Sequence, residues 1–421
     1  MKTLGLRRDA ALIYAAAFLR SATVGLVGVV LAIYLAEIGL SAVAIGFLIG
    51  AGLAGAAVAT ILVGVRGDVF GRRRTLIVLA VLTAAGYVAL AIVSRSAWLA
   101  LVAFFGMLNG MGRDRGAASA VDQAVLPETT VPEQRTWVLA WYNLVLDGGH
   151  AFGALAGATP ALLIRTAQMD PVGAHRATFF MCAGAMLVSI GPYLALTHEV
   201  EVRKPAESQV TAGRLRPHSR RVVTRLALLF GVDSIGGGFL SSALIAYWFF
   251  QRYGTSETEL AALFFAARTL NAASHLTAAW MARRIGLVNT MVLTHLPSSL
   301  LLMAAPAAPT AALAGALFLA REALVEMDVP TRQSYVMAIV KPTERTFASG
   351  VTNVTRNVGW AVGPSLAGVV MQHVVLAGPL FIGGTLKIAY DLMLFGSFRH
   401  IRPPEEGPPR PVSEHEERLD A

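Results

Sequence analysis

Apolar residues in this chain fall in long, almost unbroken runs rather than in stripes of period 3.6 or alternations of period two. Such runs mean elements surrounded by apolar material on every side. Lipid leaves only helices or closed barrels as spanning structures, and no ten-residue alternating pattern of a barrel is present. The runs predict helices at 10–36, 42–64, 75–94, 97–121, 136–163, 176–197, 226–250, 258–281, 287–304, 311–338, 346–371 and 378–398. The chain is therefore expected to be an all-α polytopic membrane protein with twelve transmembrane helices. The first run is too long for the apolar core of a signal peptide and lacks a cleavage site, so it reads as the first span.

Composition agrees. Of 421 residues 55% are hydrophobic and 14% charged, with mean hydropathy +0.59. A soluble domain carries roughly 25% charged residues, so an ordinary soluble enzyme and a disordered chain are both excluded. The apolar content suffices for roughly eleven or twelve spans of about 20 residues.

The chain has 35 basic and 26 acidic residues, a net charge of +9. The basic residues collect in loops on one side: Lys2, Arg7 and Arg8; Arg72, Arg73 and Arg74; the stretch 198–225; Arg283 and Arg284; Lys341 and Arg345; Arg399 and Arg402. The other side holds Glu37, Arg95, Asp170, His175, Arg252 and Glu257. Basic loops stay cytoplasmic, which predicts cytoplasmic N- and C-termini in a cell membrane. Without a basic patch interleaved with aromatics, no nucleic-acid partner is expected. One cysteine, Cys182, excludes an internal disulfide and a multi-cysteine metal site.

The halves repeat each other. At an offset of 210, Gln123, Pro132, Arg135, Thr136, Asn143, Gly149 and Gly153 fall on Gln333, Pro342, Arg345, Thr346, Asn353, Gly359 and Gly363; at 213, Ser21, Gly25 and Tyr34 fall on Ser234, Gly238 and Tyr247. The predicted organisation is an N-terminal six-helix bundle at 1–197, a basic cytoplasmic linker at 198–225, a C-terminal six-helix bundle at 226–398 and a disordered tail at 399–421. Repeats of this kind, related by an axis along the membrane normal, belong to transporters that bind solute between the halves.

Between the second and third spans lie Gly64, Asp68, Gly71, Arg72 and Arg73, spaced as Gly-x-x-x-Asp-x-x-Gly-Arg-Arg. This loop resembles the signature of the major facilitator superfamily, with Arg66 and Val69 in place of the usual Leu and basic residue. The resemblance covers almost the whole chain and implies two pseudo-symmetric six-helix bundles and transport by alternating access. Chemically, Gly64 permits close helix approach, Gly71 permits a tight turn, and Asp68 can meet a helix dipole or an arginine of the other half as a gating latch. Gly149, Gly153, Gly359 and Gly363, one turn apart on their helices, are expected to pack neighbouring helices.

Charged side chains within spans cost roughly 2.5–3.5 kcal/mol each on insertion, so they must pair, face a cavity or work. The candidates for substrate binding or proton coupling are Arg20, Arg113, Arg115, Asp147, Asp233, Arg268, Asn271, Arg321, Glu322, Glu326, Asn353 and Arg356. Arg20 and Asp233 occupy matching places in spans one and seven, which predicts a pair across the halves. Asp122 and Arg332 match at the ends of spans four and ten, which predicts a gate. On a continuous helix Arg113 and Arg115 lie about 200° apart, so one of them, not both, should face the cavity. Lys387 and Asp391, four apart, should pair on one helix face. His150 and His275 are hydrogen-bonding groups or proton carriers.

No phosphate loop, zinc-binding pair or nucleophile elbow occurs, so no enzyme activity, cofactor or metal is expected. The sequence reads as a monomeric secondary transporter of a small solute, driven by protons because carboxylates lie within spans. Arginine keeps its charge where carboxylates take up protons, which favours an organic anion or zwitterion over a lipophilic cation. The alternatives are a multidrug exporter, an uncoupled facilitator, a lipid transporter and a non-transporting sensor or scaffold.

Overall fold

The computed structural model describes residues 2–93, 96–130, 134–201, 217–327, 332, 335 and 345–398. Most of the 198–225 linker, the 399–421 tail, Asp328 and Lys341, and the side chains of His275, Arg283 and Arg345, lie outside the described residues. Among the described residues the regular elements are helices. In the first half they are α1 (Lys2–Glu37), α2 (Ala42–Phe70), α3 (Arg72–Ile92), α4 (Ser96–Gly106), α5 (Ala117–Val125), α6 (Arg135–Ala156), α7 (Thr159–Ala167), α8 (Pro171–Val188) and α9 (Ile190–Leu194). In the second half they are α10 (Pro217–Phe239), α11 (Ser242–Tyr253), α12 (Glu257–Ile285), α13 (Leu287–Ala304), α14 (Ala311–Val325), α15 (Arg345–His373) and α16 (Gly378–Phe398).

Short polar side chains start these helices. Ser41 and Thr310 accept from the backbone three residues on, as does Asp170 at α8, and Ser256 forms a reciprocal capping box with Glu259 at α12. Seven segments of the described residues are long and apolar enough to cross a membrane. The other expected spans are interrupted by turns or carry charges. Large apolar side chains face outward all round the bundle, Phe47, Trp98, Phe105 and Leu228 among them, as lipid contact requires.

Two of the expected spans break where the halves meet. The fourth leaves the helix between α4 and α5, where Met107 (φ 52°) and Gly112 (φ 68°) take left-handed backbone. Asn109 closes the break by donating to the Arg113 carbonyl at 2.7 Å and accepting from the Met111 amide at 2.9 Å. The seventh breaks at Leu240–Ser241, between α10 and α11. The breaks dock on each other across the halves: the Ala243 amide donates to Gly110 O at 3.0 Å and the Ser242 hydroxyl to Met111 O at 2.9 Å. Backbone groups freed inside an apolar bundle must find such partners.

The sequence repeat is a repeat of packing. Gly149 and Gly153 on α6 press against Ser21 and Ala22 of α1, and Gly359 and Gly363 on α15 press against Ser234 and Gly238 of α10. A methyl at any of the four would collide with the facing helix, so small residues set the helix spacing where no hydrophobic drive exists between helices in lipid. Gly64 has open space around it, so its expected role in helix approach is not met: the end of α2 stands clear of its neighbours.

The halves touch at the end of the bundle that carries the α1–α2 turn. There the Val43 amide donates to Gln372 Oε1 at 3.0 Å, and Gly46 and Gly50 of α2 lie directly against Pro364 and Ala361 of α15. At the opposite end the last turn of α2 is exposed, Val69 by 76% and Phe70 by 53%.

Candidate functional site

Where the two breaks meet, a cavity of about 700 Å³, its open mouth included, is lined among the described residues by Arg113, Arg115, Arg268, Arg321, Arg332, Arg356 and Lys387 and by three carboxylates, Asp233, Glu322 and Glu326. Its apolar wall includes Leu240, Ile245, Phe264 and Phe318, with Trp360 at one side.

The break in span four corrects the expectation that only one of Arg113 and Arg115 reaches the cavity. Both do: Arg113 is ion-paired to Glu326 and lies 3.8 Å from Glu322, and Arg115 lies 3.6 Å from Glu326. Because residues 107–116 are not helical, the side chains escape the 100° spacing that would part them. Asp114 turns the other way, toward Arg20, and its amide donates to His150 Nε2 at 2.7 Å. His150 is thus the acceptor of a backbone bond.

Around Glu322, Arg321 makes an ion pair and Asn271 Nδ2 donates at 2.8 Å. Arg268 on α12 donates to Ser242 Oγ at 2.6 Å, so a line of bonds runs from Arg268 through Ser242 to the Met111 carbonyl. Arg356 and Arg115 both lie over the Trp360 ring, 4.6 and 5.3 Å from its centre, a cation–π arrangement. Asp147 on α6 is half-buried and Asn353 is exposed on α15.

The expected pair between Arg20 and Asp233 does not form. Arg20 binds within its own half, to Asp114 at 2.5 Å and Asp122 at 2.7 Å, with the hydroxyls of Tyr193 and Tyr142 at 2.7 and 3.2 Å. Asp233 binds Lys387 at 2.7 Å and Arg332 at 3.2 Å. Asp122 and Arg332 are therefore not each other's partners as a gate would need. Nor do Lys387 and Asp391 pair: Lys387 reaches Asp233, and Asp391 takes His295 Nδ1 at 2.9 Å, with Lys387 Nζ 3.4 Å from His295 Nε2. In each case the buried charged group found a nearer partner within its own half.

The signature loop is likewise held inside the first half. Gly71 turns with φ 101°. Arg72, only 6% exposed, binds Asp68 at 2.8 Å and Glu128 at 2.6 Å, while the Arg72 and Arg73 amides donate to Glu201 at 2.8 and 3.2 Å. Asp68 meets the arginine four residues on, not one of the other half. Sequence reasoning missed Glu128, Glu201, Ser242, Trp360 and, beside Arg20, Tyr193. It also missed His175, whose ring nitrogens lie 3.0 Å from Glu37 and 2.5 Å from Glu257 of the second half; the side-by-side placement of all three on one loop side was the available signal.

Comparison with known proteins agrees with this architecture. A sequence profile of the Major Facilitator Superfamily matches residues 13–321 and 226–420. An uncharacterized membrane protein of Saccharomyces cerevisiae is 25% identical over 417 residues, covering 92% of this chain and 93% of its own. Among solved structures, a variant of the nucleoside transporter NupG aligns with TM-score 0.74 at 13% identity over 93% of this chain and 100% of its own. The Escherichia coli xylose transporter XylE aligns with TM-score 0.70 at 12% identity, over 96% and 99%. The human organic anion transporter MFSD10 aligns with TM-score 0.60 at 17% identity, over 92% and 99%. With a family profile matched across nearly its whole length and the fold shared with these transporters, the chain belongs to the major facilitator superfamily.

Proposed function

We propose that this protein is a secondary active transporter that moves a small organic anion or zwitterion by alternating access, coupled to protons. The observation that carries the reading is the excess of cationic over acidic side chains among the described residues of the cavity between the halves, at the docked breaks of spans four and seven. Arginines there stay charged at any working pH and bind carboxylate or phosphate through paired hydrogen bonds. One relative of the same fold is named an organic anion transporter, which is in keeping with this choice. Contact between the halves at the α1–α2 end, with the motif end of α2 exposed, fits one of two access states. With the basic loops taken as cytoplasmic, that state faces the cell interior, and the halves at 1–197 and 226–398 rock about the cavity.

Arg113, Arg115, Arg268, Arg321 and Arg356 are assigned to substrate, with Asn271, Glu322 and Glu326 fixing their positions. Asp233 and Asp147 are assigned to the proton; Asn353 and Arg20 lie outside this set. The test is flux in liposomes with an imposed pH gradient. Asp233→Asn or Asp147→Asn should abolish uphill accumulation of a labelled organic anion and keep downhill exchange. Uphill accumulation retained in both variants removes these carboxylates from coupling, and accumulation indifferent to the pH gradient in the unaltered protein removes coupling altogether.

A further inference from the structure

Arg268 is 8% exposed, and its hydrogen-bond partner among the described residues is a hydroxyl, Ser242, not a carboxylate. Arg321, 7% exposed, is held by Glu322 through one terminal nitrogen while its Nε has no partner. The carboxylates of the wall are already engaged, Glu322 by Arg321 and Asn271, Glu326 by Arg113 and Arg115, Asp233 by Lys387 and Arg332. Asp147 is one more acid whose field reaches Arg268. Even with it counted, seven cations face four acids among the described residues. A buried charge without a counter-charge is costly, and a single carboxylate on a substrate would offset only part of that surplus.

Next to the cavity lies a second recess of about 460 Å³, its open mouth included, sharing Met111, Arg113, Arg115 and Trp360 with it; its wall also has Leu53, Ala56, Ala57 and Gly116 and the uncharged polar Thr60, Asn109 and Asn357. The two alanines leave room there, and the wall offers an uncharged surface bounded by the Trp360 ring.

Resting on the transport reading above, we propose that the substrate is an organic anion of at least two negative charges, a phosphate monoester or a dicarboxylate, whose charged end sits against Arg268 and Arg321 and whose uncharged body enters the recess beside Trp360. Guanidinium groups suit both oxyanions because each presents two oxygens to the planar fork.

The test is isothermal titration of the purified full-length protein with phenyl phosphate, phthalate, benzoate and phenethylammonium, which share an aryl body and differ in charge. Phenyl phosphate or phthalate should bind at least about tenfold more tightly than benzoate, and the tighter of the two identifies the oxyanion. Arg268→Gln should lose that advantage while remaining folded, since it deletes a charge that bonds to a hydroxyl and to no carboxylate among the described residues. Ser242→Ala, which keeps the charge but frees the side chain, should lose part of it. Benzoate binding as tightly as the dianions overturns this inference and leaves the organic-anion reading standing. Binding of phenethylammonium with none of the anions overturns both. A folded protein that binds none of the three anions at millimolar concentration overturns the inference, while anion flux in liposomes continues to test the transport reading by itself.

Discussion

Arg20 and Asp233 hold corresponding places in the two halves with opposite charge, and each closes a buried cluster of its own instead of meeting the other. The partners correspond too: Asp122 answers Arg20, and Arg332, 210 positions later, answers Asp233. The second half thus repeats the ion pair of the first with its polarity reversed. In the first half two tyrosines bond into the cluster, whose Arg20, Asp114 and Tyr193 line a recess of their own; in the second the cluster opens on the cavity between the halves.

Arg20→Gln should therefore act on stability, not on substrate. It strands Asp114 and Asp122, 6% and 0% exposed, without a cation, and breaking a buried ion pair by removing one partner costs about 3–5 kcal/mol. Thermal unfolding in detergent should show a large fall in Tm, with anion affinity preserved in the protein that remains folded. An unchanged Tm together with lost affinity would return Arg20 to the binding site.

At the signature loop, Asp68 and Arg72 should separate fold from function. The Asp68 side chain is 58% exposed, so its bond to Arg72 contributes at most about 1 kcal/mol, and Arg72 keeps Glu128. Asp68→Asn should express and melt as the unaltered protein does, yet slow transport strongly. Arg72→Gln, which takes away the cation common to Asp68 and Glu128, should lower the Tm. Equal flux in Asp68→Asn at equal protein would end the gating role of Asp68.

The spans were legible because lipid forces helices, and hydropathy alone reveals them. The breaks were not, because Asn109, Gly110 and Gly112 sit inside a run that remains apolar on average; their turn chemistry was the signal, and it was outweighed by the length of the run. The repeat told which residues correspond. Correspondence was then taken for contact, and Arg20, Asp233, Asp122 and Arg332 show the difference: equivalent residues occupy equivalent environments, and a buried charge takes its partner from within its own environment.

His175 links the halves at the end where they touch. It is buried between Glu37 of its own half and Glu257 at the first turn of α12. His175→Gln removes the ring that bridges the two carboxylates and leaves them facing each other, so the closed end should part. Spin labels at the exposed positions Ser41 and His373, one on each half, should then report a longer distance distribution, measured after Cys182→Ser. An unaltered distribution would mean that the glycine contacts of α2 and α15 hold this end by themselves.

Gly112→Ala tests whether the break in span four positions the arginine of the site. At φ 68° an L side chain is strained by roughly 1–2 kcal/mol. The added methyl would also stand 2.7 Å from Ser242 Oγ and 3.1 Å from Arg268 Nη2, closer than packed atoms allow. The methyl cannot yield, because the Ala243–Gly110 bond fixes the backbone on both sides, so the Arg268–Ser242 bond has to give way. A modest fall in Tm should accompany a loss of anion affinity of about tenfold or more, since the guanidinium would no longer be held where the breaks dock. Gly184→Ala, on α8 with open space around it, is the control and should lower neither. If Gly112→Ala lowers the Tm but binds anions as the unaltered protein does, the break serves the fold and Arg268 takes its place in the site without it.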